Sequence, residues 1–363
     1  MKHRIFSTAL LLVMIFGVLA PSISSAATFE YSGWIAYWKK IDGAAQVSAH
    51  INQLSSITPF AYSVRSDGTL ADTLKVGQDP WPALFALARS QNKKIIPSVM
   101  WSNTDLIYST LATPSSRTRH EKAIVSMVVS NNFDGVEIDY ENKKVATKIY
   151  FSKFLTELAA LLHKNKKTLV CTIESRTPVV SRVVTPKPSD NQYVNDYAVI
   201  AKVCDEVRIM AYDQANIDIK LNAVKTSTTT PYMPVADTEW VEKVIKETLK
   251  TIPASKIVLG IPTYGREYEI TPKNGKFIYK QISSISFKDA MAKATSYNII
   301  PQRNNAGELS FQYTNGTSTR FISFTDNIAI NSKIGLAKQY KLKGAALFKF
   351  DADSDLALWD TLK

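Results

Sequence analysis

One rhythm constrains this chain more than any other feature: eight short apolar stretches alternate with amphipathic helical patterns from end to end. The stretches are SGWIAYW (32–38), ITPFAYSV (57–64), KIIPSVMW (94–101), FDGVEIDYE (133–141), KTLVCTIES (167–175), DEVRIMAYD (205–213), KIVLGIPTYG (256–265) and GAALFKFD (344–351). Between them, segments such as DPWPALFALARSQN, RTRHEKAIVSMVVSNN, VATKIYFSKFLTELAALLHKN and DTEWVEKVIKETLKTI place apolar residues at helical spacing. Strands separated by helices pair in parallel through right-handed crossovers, and eight such units close into a (β/α)8 barrel, an α/β fold. The rhythm breaks once. Residues 266 to about 325 are rich in Tyr, Phe, Thr, Asn and Gly and read as short strands around one helix, SFKDAMAKATSY. This predicts a small α+β insertion between strands seven and eight, on the top face of a barrel spanning residues 28–363.

The first 27 residues stand outside the rhythm. A basic start, MKHR, precedes the 13-residue apolar run TALLLVMIFGVLA and the small residues SISSAA. That pattern is a secretory signal peptide, and the run is short for a membrane span; an uncleaved N-terminal anchor is the alternative. No later segment is apolar enough to span a membrane, so the expectation is a secreted or wall-associated monomer with no membrane contact once the signal is removed. Lys2 and Arg4 leave with the signal and no acid does, which takes the net charge from +12 to +10. A basic exported protein is drawn to anionic cell-wall polymers or phospholipid surfaces. The positive residues are scattered along the sequence rather than clustered, which argues against nucleic acid as partner, and KNKK (164–167) reads as a solvated helix end. Cys171 and Cys204 are too few for a disulfide framework, and both a pair of buried thiols and a bridge fit them. His3, His50, His120 and His163 have no metal-ligand spacing. Neither a metal nor an organic cofactor is expected.

The chemistry is concentrated in NNFDGVEIDYENKK (131–144). Asp134 opens a strand in which Glu137, Asp139 and Glu141 alternate with Val136, Ile138 and Tyr140, so the three acids share one face. Burying adjacent carboxylates costs several kcal/mol unless protons or partners compensate. In a barrel this row climbs the interior toward the carboxyl ends of the strands, where barrel enzymes place their sites. Neighbouring acids keep the outermost carboxyl protonated near neutral pH, which is what cleavage of a glycosidic bond needs at the leaving oxygen. A polar core row satisfied by basic partners and a metal site are the competing readings. Alternate positions on one strand rarely surround an ion, and no histidine or second acid cluster assists.

DGVEIDYE resembles the DGxDxDxE signature of family 18 glycoside hydrolases, the chitinase family, with Glu141 at the catalytic acid. RIMAYD (208–213) is similar to the family's sixth-strand MxYD motif, and KIVLGIPTYGR (256–266) to its seventh-strand GIPxYGR. The resemblance implies substrate-assisted hydrolysis, in which the substrate's own 2-acetamido oxygen attacks the anomeric carbon. It implies that Glu141 protonates the leaving oxygen and then acts as base toward water. Asp139 would orient the acetamido group, with Glu137 beside it able to share its proton. Tyr212 would donate to the acetamido oxygen, and Asp213 would shape the same subsite. Met210 is a candidate substrate contact, with barrel packing as the alternative. Trp34, Trp101, Tyr264, Arg266 and Phe348 are candidates for sugar stacking or binding; Trp38 shares a face with Trp34.

Three departures from the family pattern bear on activity. Glu137 stands where the family usually has Asp, SxGG on strand three is replaced by Ser98, Val99, Met100 and Trp101, and Phe348 replaces a Trp. ITPFAYSVRSDGTL, IIPSVMWSN and PYMPVADTEWVEKVI are similar to the branch containing bacterial spore-germination and cell-wall N-acetylglucosaminidases. The expected partner is therefore an N-acetylated glycan, peptidoglycan or chito-oligosaccharide, cleaved at β-1,4 bonds. A non-catalytic lectin and a scaffold protein on the same barrel are the alternatives, and retention of Glu141 favours the enzyme.

Overall fold

The computed structural model describes residues 28–227 and 229–362, so the expected signal segment lies outside the described residues. The eight expected strands are present. Strand one is Glu30–Ile35, and strand two is broken into Ser56–Pro59 and Tyr62–Val64. Strand three is likewise broken into Lys94–Ile95 and Ser98–Trp101. Strands four to eight are Gly135–Tyr140, Thr168–Glu174, Glu206–Met210, Ile257–Pro262 and Gly344–Phe348. Each pairs in parallel with the next in chain order, and strand eight pairs with strand one, which closes the barrel. The breaks in strands two and three correct the continuous runs read from the sequence. Pro59 and Pro97 stand at them, and proline has no N–H for the ladder. Strand one also stops at Ile35, and Tyr37–Lys39 form a short 3-10 turn, which moves Trp38 off the strand and onto the barrel mouth.

Helices Trp81–Ser90, Pro114–Ser130, Lys148–Lys164 and Thr238–Leu249 fall where the helical spacing placed them. Their apolar faces pack on a continuous core that includes Trp81, Phe85, Phe133, Phe154, Leu158 and Trp240. All six residues of strand four are buried, as expected for a parallel strand covered on both faces. Cys171 on strand five and Cys204 just before strand six form a disulfide across 33 positions, which resolves the choice that composition left open.

Between strands seven and eight the chain runs out along Tyr264–Lys273 and returns through Lys276–Ser286, the helix Phe287–Ser296, Leu309–Asn315 and Ser318–Phe324. These strands, with Gln302–Arg303, form a five-stranded antiparallel sheet whose helix packs Ala290 and Ala294 against Phe311, Ile322 and Phe324. The insertion rises beside the carboxyl ends of the barrel strands.

Candidate active site

Glu137 is fully buried at the base of the site, and four donors converge on its carboxylate. The Trp34 indole N–H reaches Oε2 at 2.7 Å, with the Ser98 hydroxyl on the same oxygen. Thr172 donates to Oε1 at 2.6 Å, and the Arg208 guanidinium at 3.1 Å. Arg208 is itself fully buried and also donates to Thr58 at 2.6 Å and to Glu206 at 2.8 Å. Lys343 closes this chain of charges, 2.6 Å from Glu206. Glu137 is thus ion-paired with Arg208 and hydrogen-bonded at both oxygens.

Asp139, one pleat higher, is 4 % exposed, and its Oδ1 has no hydrogen-bond partner among the described residues. Burial, then the charges of Glu141 and Glu137, hold its carboxyl well above the usual carboxylate range. Glu141 stands above it, just past the end of strand four and partly open. Its carboxyl is also raised, first by burial and then by Glu174, with Asp213 adding and Lys143 opposing. Lys143 has a buried side chain whose ammonium lies 3.3 Å from Glu174 and 4.9 Å from the centre of the Phe151 ring. Asn195 donates to the other Glu174 oxygen at 2.5 Å. Along the row, Glu137 and Glu174 each face a buried cation, Arg208 and Lys143, while Asp139 and Glu141 are both raised and so are the two acids of the site that hold protons most readily.

Tyr212 and Asp213 follow strand six. The Tyr212 ring stacks on Phe348 with centroids 5.6 Å apart and planes at 19°. Its hydroxyl pKa is raised well above that of a free tyrosine by burial, Tyr264 and the nearby acids Asp139 and Glu141. Gly260 on strand seven makes room for this ring: a Cβ there would lie 2.5 Å from Ile209 O and 3.1 Å from Tyr212 Cε1. Asp213 adopts φ 56°, a conformation Asp tolerates better than most residues, and pairs with Arg266 at 2.5 Å. Beside this pair, a cleft of about 400 Å³ is lined by Trp38, Tyr264, Arg266, Ser284, Phe348 and Lys349.

The structure brings Glu141, Asp139, Tyr212, Asp213, Tyr264, Arg266 and Phe348 together at the mouth, with Met210 partly exposed at the end of strand six. Two candidates are placed otherwise. Trp34 is 1 % exposed, its ring under the Arg208 guanidinium at 5.4 Å, so it holds Glu137 rather than offering a face to sugar. Trp101 is 3 % exposed and packs on His120 and Tyr140, each 5.4 Å away. The open rings are instead Trp38 and Tyr37, 49 % and 45 % exposed, which form an aromatic cluster with Phe60 and Phe348. Lys143, Glu174 and Arg208 were missed by sequence reasoning, although the last two carried a signal. Arg208 and Glu174 are charged residues on otherwise apolar barrel strands, and Glu174 ends its strand, the position that reads as catalytic in this architecture. Among the described residues no cluster of acids, histidines or cysteines could hold a metal ion.

A closed barrel with a proton-holding acid above a buried acid row at its mouth defines a glycosidase-type site. Residues 33–353 match the model of glycosyl hydrolases family 18, and the chain belongs to that family and is a glycoside hydrolase. Among its relatives is the uncharacterized glycosylase YvbX of Bacillus subtilis, 22 % identical over 262 residues, covering 71 % of this chain and 69 % of the relative. The fold is shared with the Bacillus megaterium spore cortex-lytic enzyme SleL at TM-score 0.73 and 21 % identity, over 93 % of this chain and 74 % of that one. It is shared equally with a Chromobacterium violaceum chitinase at TM-score 0.72 and 19 % identity, over 92 % and 98 % of the two chains. Its structural neighbours thus include a spore cortex-lytic enzyme as well as a chitinase.

Proposed function

We propose that this protein is an exported, retaining hydrolase of β-1,4 bonds in N-acetylglucosamine-containing glycans, peptidoglycan or chito-oligosaccharides, acting by substrate-assisted catalysis. The observation that carries the reading is the vertical order of the acid row: Glu137 ion-paired at the base, Asp139 buried with an unpartnered oxygen, and Glu141 raised and partly open above it. Glu141 gives its proton to the glycosidic oxygen as the bond from that oxygen to the anomeric carbon breaks. The substrate's acetamido oxygen forms the new bond to the anomeric carbon from the opposite face, giving a cyclic oxazolinium ion. An Asp139 carboxyl oxygen accepts from the acetamido N–H and so orients the group, while the Tyr212 hydroxyl donates to the acetamido oxygen. Water then attacks the anomeric carbon as its bond to the acetamido oxygen breaks and the acetamido group re-forms; the water loses its proton to the Glu141 carboxylate, and two inversions leave the configuration retained. Trp38, Phe348 and Tyr264 supply ring faces for the sugars, and Arg266 holds Asp213 in place. Export is supported by the apolar run at the start of the chain and by the Cys171–Cys204 bridge, since disulfides persist in oxidising compartments.

Incubation of the protein and its Glu141→Gln variant with chitotetraose and with purified peptidoglycan, read by mass spectrometry and anomer-resolved NMR, tests this. The expected result is cleavage with retention by the parent protein and a loss of about 10²-fold or more in the variant, the range for a general acid. Binding without cleavage by both proteins would favour the lectin alternative, and inversion would rule out the substrate-assisted route.

A further inference from the structure

The cations that look scattered in the sequence are gathered by the barrel onto one end. Parallel strands put every turn that leads into a strand on the face opposite the mouth. Those turns include RSQNKK (89–94), HKNKK (163–167), KVCDE (202–206), KTIPASK (250–256) and KQYKLK (338–343). Taken from the last helical turn to the first strand residue, the eight entries hold thirteen Lys and Arg against five acids: Glu30, Asp134, Asp205, Glu206 and Glu247. That is a net +8 of the +10 carried by residues 28–363. Adjacent turns are joined to one another: the Lys256 ammonium donates to Cys204 O at 2.8 Å, the Lys343 N–H to Ala254 O at 2.9 Å, and Arg89 to Asn131 O at 3.2 Å. The acids are largely spent within this face, Glu206 and Glu30 on Lys343, and Asp205 on His163. Lys94, Lys164, Lys166, Lys202 and Lys341 are exposed and enter no ion pair among the described residues.

We infer that this end of the barrel is a docking face for a linear phosphodiester polyanion, which would hold the protein on its partner while the opposite, catalytic mouth stays free. The charge is spread over five turns, and the described cavities are lined by other residues, which suits an extended polymer rather than a small anion. Val129 is the single large apolar side chain exposed on these turns among the described residues, so the face lacks the apolar residues that insert into a bilayer. Among the described residues it also presents no fully exposed aromatic ring for stacking on nucleic-acid bases, Tyr340 being partly covered with its hydroxyl bonded to Glu242 at 2.5 Å. Association by charge alone is steered at long range and weakens steeply with salt.

The test compares binding of poly(glycerol phosphate), phosphatidylglycerol vesicles and duplex DNA by the full chain, by a K94E/K164E/K166E/K341E variant, and by a K273E/K276E/K280E control on the exposed hairpin of the insertion. The expected result is salt-dependent binding of the polymer that falls about tenfold or more in the first variant, with a shallower salt slope, and is retained in the control. Hydrolysis of chitotetraose should be unchanged in both variants, which shows that they fold and separates this inference from the reading of the mouth. Equal losses in the two variants would mean that overall charge, not this face, is responsible. A face-dependent preference for vesicles or DNA over the polymer, or no binding of the polymer at all, would overturn the assignment.

Discussion

After burial, Glu174 and Lys143 are the two largest influences on the Glu141 carboxyl, and they act in opposite directions. In the proposed mechanism Glu141 carries a proton in the first step, so activity is expected to be lost as pH rises through its raised pKa. Burial is the first cause of that elevation and the Glu174 charge the second. Replacing Glu174 with Gln removes the repulsion and leaves the buried Lys143 ammonium without its anion, and both changes stabilise ionised Glu141. The basic limb of kcat against pH is therefore expected to move to lower pH in Glu174→Gln, with the fold retained. An unmoved limb would show that Glu174 is not felt at the reacting proton. Phe348 illustrates a different residue-level substitution: it lacks the indole N–H of the family's Trp, yet its ring supports Tyr212 and forms part of the cleft wall.

At the scale of elements, the barrel interior below the site is polar, and its strands are tied by charge rather than by apolar packing alone. Arg208 on strand six bonds to Thr58 on strand two and to Glu137 on strand four, while Trp34 on strand one and Thr172 on strand five reach the same carboxylate. Removing one partner of a fully buried pair leaves an uncompensated charge, a cost of about 3–5 kcal/mol. Arg208→Met is expected to lower the stability measured by urea unfolding by that amount. The double variant Glu137→Gln/Arg208→Met should recover part of it, and a double-mutant cycle reads the coupling. Equal losses in single and double variants would indicate that packing of the long Arg side chain, not the ion pair, is what matters.

For the whole molecule, the question is how the insertion is held to the barrel whose mouth it walls. Glu308 in the insertion is fully buried and accepts from the backbone N–H groups of Val235 and Ala236 at 3.1 and 2.7 Å, and from Ser323 at 2.6 Å. Lys333 on the helix before strand eight is buried too, its amine bonded to Ala329 O at 3.2 Å; burial lowers its pKa, and the charge of Glu308 is the largest effect opposing that. Glu308→Ala leaves two buried backbone donors and the Ser323 hydroxyl without their acceptor, and an expected loss of about 3 kcal/mol in urea unfolding follows. An effect below about 1 kcal/mol, within the range of an ordinary hydrogen bond, would show that the insertion is held by apolar packing instead. The same scale separates the molecule into a catalytic end and a basic end, a division absent from any single segment.

The sequence by itself determined the strand–helix alternation, the place of the insertion, and the acid row on strand four. These depend on periodicity and on spacing within one element, which local residues encode. Pro59 and Pro97 were also readable as ladder-breakers, although the runs around them looked continuous. Only the tertiary structure decided which charges meet. Lys143 finds Glu174 across 31 positions, and Arg208 finds Glu137 across 71. It likewise buried Trp34 and Trp101 while leaving Tyr37 and Trp38 open, because a strand's pleat assigns a side chain to a face but not to a depth. The basic end belongs to the same category. Its lysines lie up to about 250 positions apart in the chain, and closure of the barrel is the only thing that makes them neighbours.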